Sequence, residues 1–221
     1  MGRNTPAKSW RAALALGVAL ALPGTAAGLS VTGDIVELIN APPSVIEEGL
    51  ESDSQIFLFL ERSATTLGSP LAVNVTTPGT YTTTPGVSFL SAGSVVDSYF
   101  LHMDIVDSGD GGSTNRAELS GSIIFDRPIL GIIGSDPELN SSDAGLGAPG
   151  TAYPTGVSGR DTWEAADSIT LSADRLTLTI DNFRVFDGFT DQLRVIVVPE
   201  ASTGSLLALG FVGLAWHGRR A

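Results

Sequence analysis

The chain has 221 residues, with 12 Lys+Arg against 24 Asp+Glu, two His and no Cys, for a formal net charge of -12. That length accommodates one domain plus short processing segments. The acidic balance excludes a nucleic-acid partner, because such a surface repels phosphate backbones, and the lack of cysteine removes disulfides, thiolate metal sites and thiol catalysis together.

Residues 1–27 have the layout of a secretory signal peptide. Arg3, Lys8 and Arg11 form a basic n-region, and Ala12 to Leu22 is an apolar run. Pro23-Gly24 breaks that run, and Thr25-Ala26-Ala27 supplies the small residues expected ahead of a cut after Ala27. The run is too short to cross a bilayer as an ordinary anchor, which takes about 20 residues. No Arg pair precedes it, which argues against the twin-arginine route.

Residues 28–197 form the body. From 28 to 199 the chain holds seven arginines, no lysine and 23 acids, a balance near -16. Such a surface suits solubility in an outer environment or the binding of cations. Gly, Ser, Thr, Pro and Asp are abundant, and several short apolar runs lie between turn residues, which is a strand-rich pattern.

Leu29–Ile39 is the first predicted strand, and Gln55–Glu61 is a continuous apolar run that suits a buried central strand. Leu71–Thr76 follows, then Val95–Val106, which is long enough to carry a bulge. Leu119, Gly121, Ile123 and Phe125 alternate with neighbours of the other face. Arg127-Pro128 breaks the pattern, and Ile129–Ile133 resumes it. Leu176, Leu178 and Ile180 alternate with threonines, and Leu193, Val195 and Val197 form the last strand.

About eight or nine short strands separated by turns predict an all-β fold, an antiparallel β-sandwich of jelly-roll-like or Ig-like type. A closed barrel is the alternative. The signal helix and a C-terminal hydrophobic helix flank this domain. Trp163–Asp167 reads as a short helical turn. Two segments read as loops: Ser108–Thr114, and the long Gly/Pro/Ser-rich stretch Ser135–Gly159.

The body offers little chemistry. Asp104, Asp107 and Asp110 are spaced three apart and are the candidate calcium ligands. They do not follow the calcium-loop pattern, since the offsets from Asp107 fall on Gly109 and Gly111. His102 is the only histidine of the body and the only candidate general base. No Gly-x-Ser-x-Gly elbow accompanies it. On a strand, a lone histidine reads as a structural hydrogen bonder. Tyr153 and Trp163 border the long loop and are the candidate platforms for stacking a saccharide, against ordinary packing. These observations predict no enzyme, and no cofactor other than calcium.

The last segment, 198–221, begins Val198-Pro199-Glu200-Ala201-Ser202, continues as a hydrophobic helix over 205–216, and closes on Arg219-Arg220. The basic pair acts as a stop that keeps that end cytoplasmic, and Pro199 keeps the region ahead of the helix extended. This end resembles the PEP-CTERM sorting signal of Gram-negative bacteria, with Ala201 where the second proline of that motif stands. The resemblance implies a membrane-bound exosortase as processing partner, acting on Val198, Pro199 and Glu200. It also implies export, a transient hold in the inner membrane, and delivery to the cell surface or medium.

The body resembles a module that recurs in exported proteins with the same tail. The stretches that carry this are Val96-Asp97-Ser98-Tyr99-Phe100-Leu101-His102, Phe125-Asp126-Arg127-Pro128-Ile129-Leu130-Gly131 and Leu146-Gly147-Ala148-Pro149-Gly150-Thr151. No activity or site residue transfers from that module. The expected function is a structural or interaction protein of the cell surface or exopolysaccharide matrix. The alternative is a carbohydrate- or calcium-binding sandwich module.

Overall fold

The computed structural model describes residues 28–107, 116–156, 158–163, 167–186 and 188–200. The signal segment with Ala27, the loop 108–115 with Asp110, residues 164–166 of the expected helical turn, and the tail from Ala201 through the hydrophobic stretch to Arg219 and Arg220 lie outside the described residues.

Among the described residues, twelve strands and one helix follow in chain order: β1 (Ser30–Gly33), β2 (Ile35–Glu37), β3 (Ile56–Thr66), β4 (Leu71–Val73), β5 (Gly79–Tyr81), β6 (Ser88–Leu90), β7 (Val95–Met103), β8 (Arg116–Ile124), β9 (Ile129–Ile133), α1 (Asp136–Leu146), β10 (Ser168–Leu171), β11 (Thr177–Phe186) and β12 (Asp191–Val197). The first sheet has the order β1-β8-β11-β10-β5, the second β2-β3-β7-β12-β9, and β4 with β6 makes a separate small pair. Neither five-stranded sheet pairs its first strand with its last, so the described residues form open sheets rather than a closed barrel, and Val75 bridges to Ile132 on the β9 edge.

The two sheets share one core. The second sheet contributes Ile56, Leu58, Tyr99, Leu101, Leu193 and Val195, and the first contributes Leu119, Ile123, Ile169, Leu178, Ile180 and Phe183. Apart from the step from Ile180 to Phe183 across the β11 bulge, these are alternate residues of their strands, as period-two packing requires.

The outer faces differ. On the first sheet, Thr32, Ser122, Thr179, Thr170 and Thr80 stand in register across all five strands. Their hydroxyls meet at 2.8 Å for Thr80 with Thr170 and 3.1 Å for Ser122 with Thr179. Such cross-strand pairs stabilise a face that remains open to water. On the second sheet both faces are covered: every residue of β7 from Val96 to Met103 is buried. Its outer layer is α1 together with the connections before β3 and after α1, packed through Val45, Phe59, Phe100, Ile133, Leu139 and Ala148.

Several expectations change here. The predicted strand Leu29–Ile39 is two strands in different sheets. Gly33 takes a left-handed φ of 73°, and Asp34 directs the chain across, its N–H donating to Ser120 O at 2.8 Å while its carbonyl accepts from Ile56 N–H at 2.9 Å. β2 then pairs with β3 in parallel, so the second sheet is mixed rather than wholly antiparallel. The bulges fall on β3, β11 and β9, not on the long β7.

Ser135–Gly159 is not all loop, because it contains α1. Pro137 lies in the first turn with Asp136 and Glu138, where a fixed φ and negative charge both favour a helix start. Asp136 also ties the helix start to the following chain, accepting from Gly159 N–H at 2.9 Å and Arg160 N–H at 3.0 Å. The buried residues Leu139, Ser142, Asp143 and Leu146 follow helical spacing. Two of the four are polar, which hid the stripe from a hydrophobicity reading.

Candidate functional site

The largest concentration of chemistry is a sealed polar network between α1 and the outer face of the second sheet. Arg194, in the middle of β12, is fully buried. Its guanidinium grips Glu61 of β3 through Nε at 2.6 Å and Nη2 at 2.8 Å, and Nη2 also reaches Asp143 of α1 at 3.0 Å. Nη1 donates to the Ser142 hydroxyl. The Glu61 carboxylate further accepts from the hydroxyls of Ser98 and Tyr153, each at 2.7 Å.

Arg160 is the second buried cation. It donates to Asp143 Oδ2 and to Gln192 Oε1, both at 2.7 Å, and to Asn140 Oδ1 at 2.9 Å. Two guanidinium groups face two carboxylates, so the network is charge-balanced. Burial opposes the charge of Arg194, but Glu61 and Asp143 overcome it and raise its pKa. Burial and the Glu61 carboxylate both raise the pKa of Tyr153. Arg194 also lies over the Phe100 ring, 5.0 Å from its centroid.

His102 closes one end of this network. Gln192 Nε2 donates to Val45 O at 2.7 Å and stands 3.0 Å from His102 Nδ1. An amide N–H can only donate, so Nδ1 accepts. The imidazole proton therefore sits on Nε2, which donates to Leu50 O at 3.1 Å. Burial, aided by the charge of Arg160 and opposed by the Leu50 carbonyl, drives the His102 pKa down to about 3. This histidine is a neutral cross-link with both nitrogens occupied.

Trp163 is 8% exposed and belongs to the inter-sheet core. Tyr153 packs edge-on against Phe100, and Arg194 lies over its ring. Neither is a free stacking platform, because each ring is used in packing. The acidic candidates separate in the same way. Asp104 is buried and accepts from Glu48 N–H at 2.8 Å. Asp107 lies beyond β7, where its N–H donates to Glu51 at 3.2 Å. Among the described residues no three acidic or imidazole groups converge on a point suited to a metal ion.

Asp104 and His102 set opposing pH dependences. Burial raises the Asp104 pKa from the ordinary carboxylate range to about 7, with the Glu48 N–H opposing the shift and Glu51 and Glu47 adding to it. The folded state thus binds the extra proton between roughly pH 4 and 7, and stability falls as pH rises through that window. For His102 the unfolded state binds the extra proton between roughly pH 3 and 6.5, so stability falls on acidification. Asp104→Asn leaves only the second effect. The variant is expected to melt higher than wild type at pH 8, by an equivalent of about 1–2 kcal/mol, and to lose that advantage at pH 5. Thermal melts of the two proteins at pH 5, 6.5 and 8 check this.

The other notable place is the turn Asp126–Pro128 between β8 and β9. Gly28 N–H donates to Asp126 Oδ2 at 3.3 Å. Beyond β12, Val198 N–H donates to Pro128 O at 3.1 Å, Arg127 Nη1 donates to Pro199 O at 3.3 Å, and Arg127 Nη2 stands 3.9 Å from Glu200 Oε1. Both ends of the body meet this turn. The sequence marked Arg127-Pro128 as a break and as part of the Phe125–Gly131 stretch of the recurring module, but gave it no contact with the tail, and no site role was read for Glu61, Asp143, Arg160, Gln192 or Arg194. Arg194 was the available signal, a charge inside the otherwise apolar run of the last strand.

Residues 197–220 match the PEP-CTERM protein-sorting motif among known protein families. No match was found among the curated proteins or the solved structures. The motif match covers the tail and begins on the last residue of β12. It supports export, sorting through the C-terminus and recognition by an exosortase-type enzyme.

Proposed function

We propose that this exported protein, sorted and processed through its PEP-CTERM tail, is a non-catalytic structural or interaction component of the cell surface or exopolysaccharide matrix. The observation that carries this reading is the continuity of β12 with the motif: Val197 ends the strand and Val198-Pro199-Glu200 follows without a spacer. The body is thus delivered as a folded unit at the point of processing. Exosortase-type cutting acts at Val198–Glu200, while the hydrophobic stretch 205–216 holds the chain and Arg219-Arg220 stay on the cytoplasmic side.

The chemistry of the body supports a passive role. The two guanidinium groups and two carboxylates of the network under α1 balance, the His102 ring has both nitrogens bonded, and the Asp104 carboxyl already accepts a backbone hydrogen bond. A general base needs an open approach to its substrate, and His102 has none.

Intact-mass measurement on membrane, surface and medium fractions of the host tests the proposal. The expected species begins at Gly28 and ends near Glu200, with or without an added group, in the surface or medium fraction. A chain running through Ala221 and confined to the membrane fraction would overturn the sorting part of the reading.

A further inference from the structure

We infer that the Asp126–Pro128 turn is an autoinhibitory clamp on the sorting motif, with Arg127 as the positioning residue that masks Val198-Pro199-Glu200 from the processing enzyme. The inference rests on the reading of the tail as a processed sorting signal.

Each residue of the motif has a polar group engaged by this turn. The Val198 N–H is held by the Pro128 carbonyl, the Pro199 carbonyl by the Arg127 guanidinium, and the Glu200 carboxylate lies within ion-pair range of the same guanidinium. Enzymes that read an extended segment do so largely through its main-chain N–H and C=O groups. Here the Val198 N–H and the Pro199 carbonyl are already spent on the body. Docking on the turn and docking in a processing cleft therefore exclude each other.

The clamp is weak by construction. The Arg127 side chain is 29% exposed, and the separation from Glu200 is long for an ion pair. A contact of this kind shifts an open–closed equilibrium by a small factor, which slows recognition without blocking it. The Asp126 carboxylate steadies the arginine from its other side, 3.8 Å from Nε. Lysine cannot reproduce the geometry, because one guanidinium serves a carbonyl and a carboxylate from different nitrogens.

The test is a pulse-chase in the native host that follows tail removal by intact mass for wild type, Arg127→Ala and Arg127→Lys. Arg127→Ala is expected to be trimmed about two- to fivefold faster than wild type, equivalent to about 0.4–1 kcal/mol of clamp closure. Arg127→Lys should fall between. The melting temperature of the folded body should change by no more than about 2 °C, which separates unmasking from unfolding. An equal or slower rate for Arg127→Ala overturns the clamp. If wild type itself is never trimmed, the sorting reading fails, and a second arm still decides the clamp. Full-length protein in detergent is digested with a glutamyl endopeptidase, and cutting after Glu200 should be two- to fivefold faster in Arg127→Ala. Equal cutting refutes the clamp independently of any host enzyme.

Discussion

Arg194→Met is expected to destabilise the body by about 3–5 kcal/mol, because it strands buried carboxylates rather than because it removes a favourable pair. Glu61 loses both of its charge-assisted bonds from the guanidinium, and Asp143 loses one. Glu61 keeps only the Ser98 and Tyr153 hydroxyls, which cannot neutralise a charge with no access to water. Two further results follow if that account is right. Adding Glu61→Gln to the same chain should recover part of the loss, since the stranded charge is gone, and a double-mutant cycle measures the coupling. The single variant should also regain stability on acidification, because an unpaired buried carboxyl has a raised pKa and folding then favours its protonated form. Denaturant midpoints at pH 5 and pH 8 check both points. A loss below about 1 kcal/mol would mean that water reaches the network.

Gly33→Ala should cost about 2–4 kcal/mol, read as a fall in melting temperature of roughly 5–15 °C. Two separate terms act there. The left-handed φ is strained for any residue with a side chain. In addition, a Cβ on Gly33 would lie 2.4 Å from Ser120 O and 2.7 Å from Gly121 Cα, both backbone atoms that cannot rotate away. Gly121→Ala separates the terms, because its φ is not left-handed but its Cβ would meet Thr32 O at 2.5 Å. It is expected to cost less than Gly33→Ala while loosening the same pairing of β1 with β8. Equal melting temperatures for Gly33→Ala and wild type would show that the crossing between the sheets is not rigid.

The parts of the fold that follow from period-two hydrophobicity were legible in the sequence. Ile129–Ile133 and Leu193–Val197 read as strands and are strands, and Val95–Val106 is a strand as far as Met103, because their apolar side chains fill the layers on either face of the second sheet. What failed to read shares a physical cause. The face of the second sheet beneath α1 sets Glu61, His102, Gln192 and Arg194 among Phe59, Phe100 and Ile133, and the helix answers with Ser142 and Asp143 as well as Leu139. Hydrophobicity counts the polar residues among these as solvent-facing, although here each satisfies another. β5, β6 and β10 are three or four residues long, too short to build a period. The crossing at Gly33 left no trace but a single glycine. The stacking role given to Trp163 and Tyr153 arose from loop position alone, and packing has claimed both rings.

Strand direction adds a consequence for the molecule as a particle. β7 and β12 are antiparallel, with Met103 beside Asp191 and Asp97 beside Val197. Gly28, the Asp126–Pro128 turn and Pro199 therefore share one pole, while Asp104, Glu51, Asp53 and Asp107 cluster beyond the far end of β7. Held by its tail, the molecule presents Glu51, Asp53 and Asp107 at the end away from the attachment, while Asp126 and Glu200 stay at the tail pole. Repulsion between these acidic ends on neighbouring molecules would fade once the screening length drops to about 3 Å near molar salt.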